Sequence, residues 1–202
     1  MELMRGVENR VMKGEGGRDK QDEKEIELEE VRNVIKKLKT GKAIGKDGIP
    51  NEAWKYGGEE MERWVWEICK RVWRGEGWPE HWKEGEIIPL VKKGEGKEVK
   101  DYRGITIMSS MYKIYTAVLA ERIRKEVETK NLIPDNQAGF RKGMGTMDQI
   151  FTLNYLINRQ LGNEKGKMTV LFVDLKAAFD SVDKKVLIKA MKERGVRQGL
   201  IG

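Results

Sequence analysis

Met168-Thr-Val-Leu-Phe-Val-Asp-Leu-Lys-Ala-Ala-Phe-Asp180 (MTVLFVDLKAAFD) is the stretch from which the rest of the chain is read. Thr169 to Val173 are apolar or β-branched without interruption, the composition of a strand buried on both faces. Asp174 stands where that run stops. Val170, Phe172 and Asp174 fall on one face by the two-residue period, so the carboxylate points where two apolar neighbours already point. An ionised acid there is costly without a compensating positive charge. A divalent metal answers that need, because hard oxygen ligands suit Mg²⁺. The alternative at this stage is that Asp174 starts a turn and caps the next segment.

Charge sets the class of partner. Charged residues are 36% of the 202-residue chain, and the formal net charge is +7 with a pI near 9.3. That balance favours a polyanion, nucleic acid before an anionic membrane surface. One cysteine (Cys69) and one histidine (His81) exclude an internal disulfide and argue against a Cys/His zinc site. Cys69 is read as a core residue rather than a nucleophile. No run approaches the roughly 20 apolar residues that span a bilayer, and Met1 to Lys13 lacks the apolar core of a secretory leader. The expectation is an intracellular protein, cytoplasmic or nuclear, with no membrane partner.

Outward from the opening stretch, residues 1–24 mix charges with glycines and show no periodicity, predicting a disordered or linker tail. Leu28, Val31, Val34, Ile35 and Leu38 recur at helical spacing, with acids at the start, lysines at the end and Gly41 as a stop. GKAIGKDGIP (41–50) is a basic, turn-rich loop whose backbone can approach a phosphate, although no Gly-Lys-Ser/Thr closes it as in a P-loop. Met61 through Trp73 make a second amphipathic helix. EIIPLV (86–91) and YRGITI (102–107) predict a hairpin around the charged loop 92–101, with Pro89 favouring an edge strand. Lys92, Lys93 and Arg103 flank it, either closing together on an anion or guarding an edge against aggregation. A long helix carries Met111 through Val127. Loop chemistry returns over 131–145. Thr146-Met147-Asp148-Gln149 is a capping-box pattern opening a helix that turns Ile150, Leu153, Ile157 and Leu161 inward. After Asp180, Ser181 or Asp183 can cap a last helix that Gly195 ends.

The order of these pieces resembles the N-terminal part of the reverse transcriptase domain of non-LTR (LINE-type) retrotransposons. GKAIGKDGIP is similar to the loop before the fingers, and IIPLVKKG with DYRGITIMSSMYKI to the fingers strands and following helix. NQAGFRKGMGTMDQI is similar to the family's second conserved block, and LFVDLKAAFDSV to polymerase motif A. The resemblance implies an α+β right-hand polymerase fold over 25–202. That fold comprises fingers with a β-hairpin and the first part of the palm, whose motif A strand near 169–175 is isolated or poorly paired. It implies that Asp174 is the catalytic aspartate and binds metal, with the backbone carbonyl of Leu175 as a further metal ligand. It implies nucleotide contacts from Lys92 or Lys93, from Arg103 and from Arg141, and a ring at Phe179 that clashes with a ribose 2′-hydroxyl and so selects deoxynucleotides. Asp180 is implied to be a structural cap. The complete enzyme uses Mg²⁺, an RNA template, a DNA primer and deoxynucleoside triphosphates.

Physical chemistry explains these residue types. Two metal ions about 3.5–4 Å apart clamp the attacking and leaving oxygens in such transfers, and cationic side chains offset charge gathering on the triphosphate. In these polymerases motif A is followed by motifs B and C, the latter with paired aspartates, and then by the thumb. This sequence contains no Asp-Asp pair. The expectation is a fragment truncated after motif A and inactive by itself. Two alternatives stand beside it: a non-catalytic basic nucleic-acid-binding module, and an unselected relic of a retroelement.

Overall fold

The structure, a computed structural model, describes residues 24–92, 96–176 and 178–201. It divides into two compact units, Met1–Arg122 and Ile123–Gly202.

In the first unit, α1 (Leu28–Lys36) has Glu29 and Glu30 in its first turn and Lys36 in its last, matching the helix dipole. The short α2 (Asn51–Tyr56) starts directly after Pro50, and α3 (Gly58–Trp73) begins at Gly58, whose φ of 76° gives the sharp bend between them. Their inward faces form the core: Val31, Ile35, Trp54, Val65, Ile68, Cys69, Val72 and Trp73 are all buried. Burial pushes the Cys69 thiol up to about 12, so this cysteine is a packed apolar residue.

β1 (Glu86–Val91) and β2 (Tyr102–Ile107) pair antiparallel with the boundaries read from the sequence. The helix α4 (Ser110–Thr129) then adds Met111, Ile114, Tyr115 and Val118 to the core, where Tyr115 meets Trp78 and Trp82. Arg122 on α4 ties the unit together. Its guanidinium donates to both carboxylate oxygens of Glu30 (2.8 and 2.6 Å) and to the carbonyls of Lys24 (2.7 Å) and Glu25 (2.6 Å), and it lies over the Trp73 ring at 5.0 Å.

The second unit takes the last turns of α4, then α5 (Thr146–Leu161), α6 (Lys184–Glu193) and the single turn α7 (Gln198–Ile201). A polar clip holds its C-terminal part. Glu126, 4% exposed, accepts from Lys130 Nζ (2.6 Å), Arg197 Nε (2.7 Å) and the Arg197 amide (2.9 Å), while Lys130 also donates to the Gly195 carbonyl. Val196 and Leu200 are buried beside this clip.

Three sequence expectations change here. α5 buries none of its residues: Leu153 and Ile157 are half-buried, and Ile150 and Leu161 are 54% and 57% exposed. The stretch 169–175 is neither strand nor helix, and Leu171, Phe172 and Val173 are exposed. A strand is completed by a neighbour's hydrogen bonds, and the described residues form one sheet, the β1–β2 pair. The opening of α5 also differs. Gly145 is the N-cap, and Asp148 accepts from the Gly145 amide at 2.9 Å, one residue ahead of the Thr146/Gln149 box expected. The linker predicted for residues 1–24 lies almost wholly outside the described residues.

Candidate active site

The hairpin positions the first pair of predicted cations. Leu90 stands opposite Arg103, and the ladder continues one step past Val91, where the Lys92 amide donates to the Asp101 carbonyl at 2.7 Å. Lys92 is two residues beyond Leu90, so the pleat puts Lys92 and Arg103 on the same face as diagonal neighbours. Both are exposed, and neither pairs with an acid among the described residues. Two unneutralised cations on one sheet face make a suitable grip for phosphate oxygens. Lys93 lies outside the described residues. The loop near the hairpin's far end is shaped by Tyr102, whose hydroxyl donates to the Gly96 carbonyl at 2.8 Å.

The glycine-rich loop 41–50 is anchored to the unit's core. Gly45 is buried, and a Cβ there would meet the Met108 carbonyl at 2.8 Å, which only glycine avoids. The Trp54 indole donates to Ser110 Oγ (2.6 Å), and that hydroxyl donates to the Ile49 carbonyl (2.9 Å). Lys46 is paired with Glu84. The loop's backbone shape therefore serves packing against the Met108–Ser110 link between β2 and α4, and of its two lysines Lys42 has no acidic partner among the described residues.

In the second unit, Asp174 is exposed and makes no hydrogen bond or ion pair with a described residue. Leu175 is exposed beside it. Phe179 meets Phe140 edge-to-face, ring centroids 5.9 Å apart at 82°. Phe140 holds a φ of 64°, a left-handed conformation that costs a bulky residue strain. Motif A and the second block thus touch through two rings. Phe140 sat inside the quoted block, beside Arg141, yet its pairing across 39 residues had no local signal.

Arg141 is engaged within the unit. Its Nε and Nη2 donate to Glu128 at 3.2 and 2.8 Å, and Nη1 donates to the Pro134 carbonyl at 3.3 Å. The bond from Arg141 holds the Glu128 carboxyl below the usual carboxylate range. Asp180 caps no helix among the described residues. Asp183 does that work for α6, accepting from the amides of Lys185 (2.7 Å) and Val186 (3.1 Å).

The donor set does not by itself fit the metal that the resemblance implies. Asp174 offers one carboxylate, and among the described residues no three His, Cys, Asp or Glu side chains converge. A single carboxylate does not displace the water that Mg²⁺ keeps so firmly.

Comparison with known proteins settles the lineage. Residues 91–201 match the family described as reverse transcriptase (RNA-dependent DNA polymerase). The chain belongs to the reverse transcriptase family. Among its relatives in Drosophila melanogaster, it is 30% identical over 171 residues to the probable RNA-directed DNA polymerase from transposon BS, covering 84% of this chain and 19% of that protein. It is 30% identical over 160 residues to the RNA-directed DNA polymerase from mobile element jockey, covering 78% and 17%. A third match is the probable RNA-directed DNA polymerase from transposon X-element, at 30% over 154 residues, 76% of this chain and 17% of that one. The chain thus spans less than a fifth of the length of these relatives. The retrotransposon resemblance drawn from the quoted motifs holds, and the helix-rich α+β architecture with its two-stranded sheet agrees with it. Reverse transcriptases depend on divalent metal as a family. No helix among the described residues is long and apolar enough to cross a membrane.

Proposed function

We propose that this chain is the fingers and first part of the palm of an RNA-directed DNA polymerase from a non-LTR retrotransposon. The whole polymerase would work inside the cell on an RNA template, a DNA primer and deoxynucleoside triphosphates. One observation carries the reading: the reverse transcriptase match over 91–201 encloses every residue assigned a role from the motifs. In this reading Lys92 or Lys93 and Arg103 hold the triphosphate, their charges offsetting what accumulates on the leaving phosphates. Their shared sheet face supports that assignment for Lys92 and Arg103. Phe179 sets a ring against the sugar and excludes a 2′-hydroxyl, with Phe140 bracing it from the side. Arg141 fixes the shape of the second block through Glu128 and contributes to the nucleotide site from there. Asp174 is the catalytic carboxylate, and with the Leu175 carbonyl it is this chain's share of a larger ligand set for Mg²⁺.

Primer extension tests the reading. A polymerase containing this segment is given an RNA template, a DNA primer and deoxynucleotides, and product is followed with Asp174 intact and with Asp174→Asn. Extension lost in the variant is the expected result, and extension at the parent rate would remove the motif A assignment.

A further inference from the structure

The positive charge of this chain is not evenly spread. Met1–Arg122 carries 25 Lys and Arg against 24 Asp and Glu, whereas Ile123–Gly202 carries 15 against 9. In the first unit many of the cations are spent on acids: Arg32 on Glu62, Arg74 on Glu25, Arg122 on Glu30, Lys46 on Glu84. The excess that favours a polyanion therefore belongs to the second unit, and its densest part is α6.

In α6, Lys184, Lys185, Lys189 and Lys192 fall within a sector of about 140° at the ~100° per residue of a helix, over roughly 12 Å of its length. All four are exposed, and among the described residues Lys189 alone of them has an acid in reach, Glu193 at 3.7 Å. With Ile188 they line an open depression of about 480 Å³. Lys184 and Lys185 sit in the first turn, where the dipole disfavours cations, and the acid at that end is the N-cap Asp183, which is taken up by the Lys185 and Val186 amides. The helix is also held at its far end, by Lys130 on the Gly195 carbonyl (2.8 Å) and Arg194 on the Leu132 carbonyl (3.0 Å), so the lysines are presented from a fixed support.

We propose that the lysine face of α6 docks the phosphodiester backbone of RNA. This rests on reading the chain as part of a polymerase that handles an RNA strand, and it adds a contact surface separate from the nucleotide grip on the hairpin. An anionic membrane is the competing occupant, because Val186 and Leu187 on α6 are also exposed. The helical wheel disfavours it. Val186, Leu187, Ala190 and Met191 centre almost opposite the lysines, so inserting the apolar face would turn the ammonium groups away from the headgroups.

The test compares three versions of the full chain: the parent, K184Q/K185Q/K192Q, and K36Q/K39Q/K113Q as a charge-matched control from exposed first-unit lysines. Binding of two RNA oligonucleotides of equal length and different sequence is measured from 50 to 200 mM salt, with circular dichroism confirming that helix content is kept. Three lost phosphate contacts lower the slope of log K against log salt by about 2. The advantage of the parent over the α6 variant should then shrink roughly 20-fold across that salt range, equally for both sequences, while the control follows the parent. Equal binding by the parent and the α6 variant overturns the docking face alone. Absence of salt-dependent binding by the parent overturns it together with the RNA-handling reading. Loss of binding to phosphatidylserine vesicles with RNA binding intact would assign the face to a membrane instead.

Discussion

The two units of this protein divide stability and chemistry between them. Of the 17 apolar residues buried among those described, 15 precede Ile123 and only Val196 and Leu200 follow it. The second unit instead exposes its most apolar segments, the α5 face and the 168–175 stretch, and coheres through polar clips on Glu126 and Glu128. A buried core is non-directional and tolerates change at its surface, whereas a clip of few charged bonds depends on each member. The residues assigned to metal, sugar and the second block lie in the unit that spends least on its own packing.

The sharpest break of this comparison is Asp174→Asn. In a complete polymerase, primer extension should fall by more than about 100-fold, while the unfolding midpoint of the 202-residue chain stays put, because Asp174 is exposed and pairs with no described residue. A shift in that midpoint would show that Asp174 belongs to packing after all.

Next in size is a core truncation. Ile114 is fully buried in the first unit, so Ile114→Ala should cost about 2–5 kcal/mol by denaturant titration. Phe172→Ala, at a residue 79% exposed, should stay within about 0.5 kcal/mol. Comparable losses at both sites would erase the distinction between the units.

Phe179→Val tests the sugar gate. Ribonucleotide incorporation by the complete polymerase should rise on the order of tenfold relative to deoxynucleotides, and Phe140→Ala should move it the same way by less. Unaltered discrimination in both would detach the ring pair from selectivity.

The smallest effect is on the acid limb of stability. Burial pushes the Glu126 carboxyl up, but its bonds from Lys130 and Arg197 prevail and hold it below the ordinary value. A carboxylate lowered by folding contributes stability that is whole above its unfolded pKa near 4.5 and lost as pH falls through the folded value. Thermal melts of the chain should therefore drop below about pH 4.5, and Glu126→Gln should flatten that drop while lowering stability at neutral pH. An unchanged acid limb in the variant would mean that the Glu126 clip adds nothing to cohesion.

The sequence by itself determined the elements and the lineage. β1 and β2 were legible to the residue because short β-branched runs, Pro89 and a glycine-bearing loop are local signals. The longer helices were legible from the 3.6-residue period and from stops such as Gly195, whose φ is 84°, whereas the short α2 and α7 were not. The order of four motifs carried the family. Tertiary structure decided the rest. The β1–β2 register put Lys92 and Arg103 on one face, Glu128 took Arg141, Phe140 met Phe179, and Asp183 rather than Ser181 became the cap of α6. It also decided that 169–175, strand-like in composition and expected to be poorly paired, is exposed where burial on both faces was expected. Composition records what a segment would bury, but a strand exists only when a second backbone meets its hydrogen bonds, and that partner is not written in the segment itself.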